Sequence, residues 1–172
     1  MFNKKSSFLV AAVILAAFFG ASAANAQDTT CPYTLASLQG SYSVIGHYAN
    51  DVALALAMDT MDGNGNFTRK ATVNQPVVGS ATGNRTLTST ISTGTYTVNC
   101  DGTGVITRAL TNLTTGVVTT TVADFVITET TRLYTGSAFT LVATSLVDAQ
   151  RTPSAIVPGG IFVYFVHTRL LN

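Results

Sequence analysis

Val52-Ala53-Leu54-Ala55-Leu56-Ala57-Met58-Asp59-Thr60-Met61 runs into Asp62-Gly63-Asn64-Gly65-Asn66 and then Phe67-Thr68-Arg69-Lys70-Ala71-Thr72-Val73. In the first segment the large residues Val52, Leu54, Leu56 and Met58 alternate with Ala53, Ala55, Ala57 and Asp59. The residue types alone would permit a helix, but the strict period of two predicts a strand. Asp62 to Gly65 supply the positive-φ positions of a tight hairpin, so the third segment returns antiparallel to the first. A two-residue turn at Gly63-Asn64 or Asn64-Gly65 sets odd residues of the return strand beside even residues of the outgoing one. In that register Leu54, Leu56 and Met58 share a face with Phe67, Arg69, Ala71 and Val73.

Apolar runs between turn signals recur on both sides of this hairpin. Strands are expected at residues 40–48, 52–61, 66–73, 87–91, 94–99, 104–110, 117–127, 132–134 with 138–146, and 160–170. Residues 74–83, 112–116, 128–131 and 149–158 are expected to be turns and loops. Eight to ten antiparallel strands joined mainly by short turns predict an all-β fold that closes into an up-and-down β-barrel, leaving no exposed edge. No Pro-rich linker, charge block or shift in composition divides residues 27–172, so they are read as a single domain.

The hairpin at Asp101-Gly102 carries the pattern further. A three-residue turn with Gly102 left-handed pairs Asn99 with Thr103, and Tyr96 and Val98 then share a face with Ile106, Arg108 and Leu110. In the last strand Ile161, Val163 and Phe165 lead to His167 and Arg169 on one parity. Arginines thus fall on apolar faces in three places: Arg69, Arg108 and Arg169. The commoner arrangement is an arginine whose stem packs on apolar neighbours while its head reaches solvent at a strand end. The alternative points the three into the lumen, where a guanidinium needs a partner. Glu129, Asp124 or the anionic head of an apolar ligand are the candidates.

Residues 1–7 carry Lys4 and Lys5, 8–19 are unbroken apolar, and Ala24-x-Ala26 places small residues before Gln27. These are the parts of a secretory signal cleaved after Ala26, and the apolar run is shorter than the roughly 20 residues a membrane span needs. Export to the periplasm or the medium follows, with no stable membrane anchor after cleavage. In that setting Cys31 and Cys100 are expected to form a disulfide. The mature chain has seven Lys and Arg against eight Asp and Glu, too few and too scattered for a basic face, so nucleic acid is excluded as a partner. All 29 threonines lie in the mature part, a composition poor in helix formers and rich in a strand former. His47 and His167 are the only histidines, and no cofactor or metal is expected. The Asp62 loop misses the glycine and the glutamate a calcium loop requires, and hairpin chemistry explains its residues. No Gly-x-Ser-x-Gly elbow is present.

Leu38-Gln39-Gly40-Ser41-Tyr42 resembles the opening of calycin barrels, with Tyr42 where those have tryptophan and Arg169 as a loose counterpart of their late arginine. Asp62-Gly63-Asn64-Gly65-Asn66 followed by Gly94-Thr95-Tyr96-Thr97-Val98 and Asp101-Gly102-Thr103-Gly104 resembles small exported bacterial proteins similar in outline to allene oxide cyclase and dirigent barrels. The resemblance spans roughly residues 38–127 and implies the barrel; it carries no catalytic residues across.

The expected activity is therefore binding, without catalysis, of a small, largely apolar molecule held in the lumen, where inward arginines would favour an anionic one. Arg69, Arg108, Tyr96, Met58, Leu56 and Arg169 are the candidate ligand-binding residues. Two other classes stand beside it. A barrel isomerase or cyclase would need a carboxylate or tyrosine, such as Glu129 or Tyr96, deep beside the arginines. A structural or surface-assembly protein would use the last strand, where Ile161-Phe162-Val163-Tyr164-Phe165-Val166 is apolar on both parities. A solvent-facing strand should alternate, so its outer face is expected to be covered. A homo-oligomer contact is favoured there over the protein's own chain.

Overall fold

A computed structural model describes residues 31–77, 83–156 and 158–171, so the expected signal at 1–26 lies outside the described residues. Eight strands follow one another in space as they do in sequence: β1 (Gln39–Tyr48), β2 (Leu54–Asp62), β3 (Asn66–Pro76), β4 (Arg85–Val98), β5 (Thr103–Asn112), β6 (Val118–Thr135), β7 (Ala138–Gln150) and β8 (Val163–Arg169). Every neighbouring pair is antiparallel, and β8 pairs with β1 from Tyr42↔Arg169 to Tyr48↔Val163, closing the barrel.

Two pairs of expected strands are single strands. Residues 87–91 and 94–99 merge into β4 because Gly94 packs closely rather than breaking the chain. A Cβ at Gly94 would lie 2.0 Å from the Thr107 carbonyl oxygen and 2.6 Å from the Phe67 ring. The expected turn at 128–131 is instead an irregular stretch inside β6, where the pairing with β7 shifts between Ile127 and Thr130. Thr128, Glu129, Thr130 and Thr131 include no glycine or proline, and extra residues in such a run bend a strand rather than end it. β3 also extends into the expected loop, as far as Pro76.

The β2–β3 hairpin corrects the expected register. Met61 pairs with Phe67 and Asp59 with Arg69, so odd residues face odd residues. Gly63 and Gly65 both have positive φ (76° and 98°), and the turn is one residue longer than a two-residue hairpin. Asp62 holds it: its carboxylate accepts from the backbone N–H groups of Asn64 and Asn66 at 2.7 and 2.9 Å. One added residue reverses the faces of β2. Ala55, Asp59 and Met61 are buried, whereas Leu54, Leu56 and Met58 project outward. β3 keeps its expected parity, with Phe67, Arg69 and Val73 inside. The β4–β5 hairpin has the expected register, Tyr96 pairing with Ile106 and Asn99 N–H donating to Thr103.

Side chains pack the interior, among them Tyr42, Val44, Met61, Phe67, Ile106, Phe125, Leu146 and Phe165. One end is closed by a 3-10 turn, Leu35–Ser37, and by Leu38, which is fully buried. There the Tyr96 hydroxyl donates to the Leu38 carbonyl at 2.6 Å and the Tyr42 hydroxyl to Ala143 at 3.0 Å. The Cys31–Cys100 disulfide ties this segment to the β4–β5 turn. At the other end Ile156 and Ile161 pack on the core, and Ser154 bridges to Ile161.

Candidate functional site

Alternation along β2, β3, β5, β7 and β8 sends Asp59, Arg69, Arg108, Asp148 and His167 into the middle of the barrel, all buried. The cross-strand pair Asp59 and Arg69 forms a two-pronged ion pair, with Nε donating to Oδ1 at 2.6 Å and Nη2 to Oδ2 at 2.8 Å. Arg108 donates through Nη2 to Oδ2 of Asp148. His167 lies between the two carboxylates: Nε2 is 2.8 Å from Asp148 Oδ2 and Nδ1 is 3.3 Å from Asp59 Oδ2. Both guanidinium groups stand over the Phe165 ring, at 4.5 Å for Arg69 and 5.0 Å for Arg108. The result is one chain of groups, Arg69–Asp59–His167–Asp148–Arg108, wrapped around an aromatic ring.

Its electrostatics are internally balanced. Burial pushes the Asp59 carboxyl up, but the charge and hydrogen bonds of Arg69, with His167, outweigh it and hold it well below the usual carboxylate range. Asp148 behaves alike: burial raises it, and Arg108 and His167 bring it below its ordinary value. Burial lowers Arg108, and the nearby charge of Arg69 adds to that. Each arginine has an aspartate partner, although Arg108 Nε, Asp148 Oδ1 and His167 Nδ1 are buried without a hydrogen bond among the described residues. Those partners are Asp59 and Asp148. Glu129 is exposed on β6, and Asp124 makes an exposed ion pair with Arg151 at 2.7 Å.

The six candidate ligand residues therefore part into three places. Arg69 and Arg108 belong to the balanced core. Tyr96 is also interior, but its hydroxyl is engaged by the end cap, and burial raises its pKa. Leu56 and Met58 lie on the outer face, a correction that follows from the longer β2–β3 turn, and border an open hollow of about 590 Å³ with Lys70, Ile91 and Leu113. Arg169 stands alone at the barrel mouth.

Arg169 continues the inward parity of Val163, Phe165 and His167, one step past His167, where the barrel ends. It is half-buried. Gly40, across from it on β1, makes the room: a Cβ there would lie 3.2 Å from Nη2 of Arg169. Among the described residues the other arginines are engaged. Arg69 and Arg108 have their aspartates, Arg151 has Asp124, Arg85 donates to Asn74 and Val52, and Arg132 stacks on Phe139. Arg169 makes no hydrogen bond or ion pair among the described residues. It faces a hollow of about 220 Å³ bordered by Gly40, Ser41, Thr131, Leu133, Leu170 and Leu171. Leu170 is fixed there by its N–H, which donates to the Ser41 carbonyl at 2.8 Å. One cation, two hydroxyls and three leucines make a site with a polar end and an apolar floor.

The class this defines is a closed eight-stranded antiparallel barrel with two buried arginine–aspartate pairs inside and, at one mouth, an arginine with no partner among the described residues. No family model, curated protein or solved structure matches the chain.

Proposed function

We propose that the protein is an exported binder of a small, largely apolar molecule with an anionic head, held at the Arg169 mouth rather than in the lumen. The observation that carries this reading is the half-buried guanidinium that has no hydrogen-bond or ion-pair partner among the described residues, set beside the hydroxyls of Ser41 and Thr131 and the side chains of Leu133, Leu170 and Leu171. A planar guanidinium suits a carboxylate or similar oxyanion through paired N–H donors. The hollow is smaller than the roughly 300–1,000 Å³ typical of pockets that enclose a whole drug-sized ligand. It therefore suits the head group and first carbons, with the remainder lying over Leu171 and Leu133. The disulfide supports an oxidising compartment, and the periplasm or the medium is where such a chain would meet its ligand. Barrel catalysis has less to support it, since Glu129 lies outside and the Tyr96 hydroxyl is held by backbone carbonyls.

Titration calorimetry with decanoate, and with decanol as the uncharged control, tests the proposal. Saturable binding of decanoate, weakened at least tenfold in Arg169→Gln and partly kept in Arg169→Lys, is the expected result. Absence of decanoate binding, equal binding of decanol, or indifference to Arg169→Gln would overturn it.

A further inference from the structure

The outer surface of the barrel has two unlike halves. Over β3, β4 and β5 the outward rows are built from threonine: Thr68 pairs with Thr93, and Thr95 with Thr107. Over the central part of β7, β8, β1 and β2 two adjoining rows are largely apolar, while Ser43, Thr60 and Thr168 lie outward nearer the Leu38 end. One row runs Val147, Val166, Ile45, Leu56 across four strands in direct register. The next runs Tyr164, His47, Leu54, with the Tyr164 and His47 rings stacked at 5.0 Å. Met58 extends the patch on β2, and Phe162 extends it before β8.

Ile45, Leu54, Leu56, Met58, Phe162 and Tyr164 are each between 45% and 66% exposed. Such a set leaves on the order of 600 Å² of contiguous apolar surface in water, at the upper end of the largest patch usual on a monomer. That is also close to the roughly 800 Å² each partner gives to a stable interface. Exposed apolar residues such as Leu87 also occur elsewhere on the sheet, but among the described residues only here do outward apolar residues line up in register across four strands.

We infer that this face is a two-fold interface between two copies of the chain. Area is the first argument: one patch matched by its own copy makes an interface of standard size. Charge is the second. Lys70 lies beside Met58 at one edge of the patch, and Asp51, 3.6 Å from His47 and 79% exposed at its side chain, lies beyond Leu54 toward the other end of the strands. A two-fold arrangement that reverses strand direction moves the Asp51 end of one copy toward the Lys70 end of the other. The open hollow between Leu56, Met58, Ile91 and Leu113 then receives side chains of the partner. This contact uses none of the Arg169 mouth, so the two proposals stand or fall separately.

Sedimentation velocity on the disulfide-bonded mature chain, from micromolar to several hundred micromolar, is the test. Reversible dimerisation is expected, weakened at least tenfold by Leu56→Asp and by Tyr164→Asp. Thr107→Asp, on the threonine half, should leave it unchanged. Leu56 and Tyr164 are largely exposed, and near-ultraviolet circular dichroism will show whether each variant keeps its packed core. A monomer across the whole range would overturn the inference, and so would a dimer that folded Leu56→Asp and Tyr164→Asp leave intact.

Discussion

Replacing Asp59 with alanine removes one carboxylate from the centre of the barrel and leaves the Arg69 guanidinium where it was. Arg69 is 4% exposed and Asp59 fully buried, so water cannot take over the two hydrogen bonds that are lost. Arg69 retains the face of Phe165 and the more distant charge of Asp148, and a cation over an aromatic ring offsets about 0.5–2 kcal/mol. Breaking a buried pair by removing one partner costs about 3–5 kcal/mol. The contact of Asp59 with His167 goes as well, which places the expected cost toward the upper part of that range. For a chain of this size each kcal/mol shifts the melting temperature by about 2–4 °C, so Asp59→Ala is expected to melt roughly 10–15 °C lower. The companion variants are Arg69→Met and the double replacement. Taking out both charges leaves no orphan, and such swaps are often neutral or stabilising. The assay is urea unfolding at pH 7 with the disulfide intact, followed by near-ultraviolet circular dichroism. A single-variant cost under about 1 kcal/mol, or additive effects in the double variant, would refute the argument that Asp59 is what makes a buried Arg69 tolerable.

Acid should act through the same groups. Asp59 and Asp148 both titrate below their ordinary values in the folded barrel, so their contribution is fully present above the unfolded carboxylate pKa of about 4 and is lost as pH falls toward the folded values. Urea midpoints are expected to be flat from pH 7 to about 5 and to fall steeply below 4. Retention of the pH 7 midpoint at pH 2 would contradict this. Opening the Cys31–Cys100 bridge, by reduction or by the double alanine variant, should cost about 4 kcal/mol on the chain-entropy account for a sequence separation of 69. It should also speed amide exchange at Leu38, whose cap the bridge secures, and an unchanged urea midpoint would count against that role.

Much of this was legible in the sequence, and the reasons for the rest are local. Strand alternation and short turns were enough for the closed barrel. Parity puts Arg69, Arg108 and His167 on apolar faces, but the favoured expectation that the arginine heads reach solvent is overturned by the burial of Arg69 and Arg108. Their partners were hidden for two separate reasons. Asp59 was assigned outward because a Gly-Asn-Gly turn accommodates either two or three central residues, and one residue decides which face of β2 meets the core. Asp148 was hidden because β7 was expected to stop at Leu146. The inward spacing from Leu146 to Asp148 was the available signal, but an aspartate before a proline-containing loop reads as turn chemistry. The strand breaks expected near Gly94 and Thr128 failed because local residue types do not show cross-strand packing. That Arg169 has no partner among the described residues was beyond sequence, since it depends on where each carboxylate of those residues ends up.

The closing strand has a consequence for the order in which the protein is made. β8 is synthesised after the seven other described strands, yet it supplies Phe165 and His167, the two side chains that join both ion pairs, and it covers the free edges of β1 and β7. A chain halted before Val163 would hold two arginines and two aspartates with nothing between them and two strand edges open to other chains. Stability therefore arrives when β8 docks between β1 and β7 rather than growing steadily along the polypeptide.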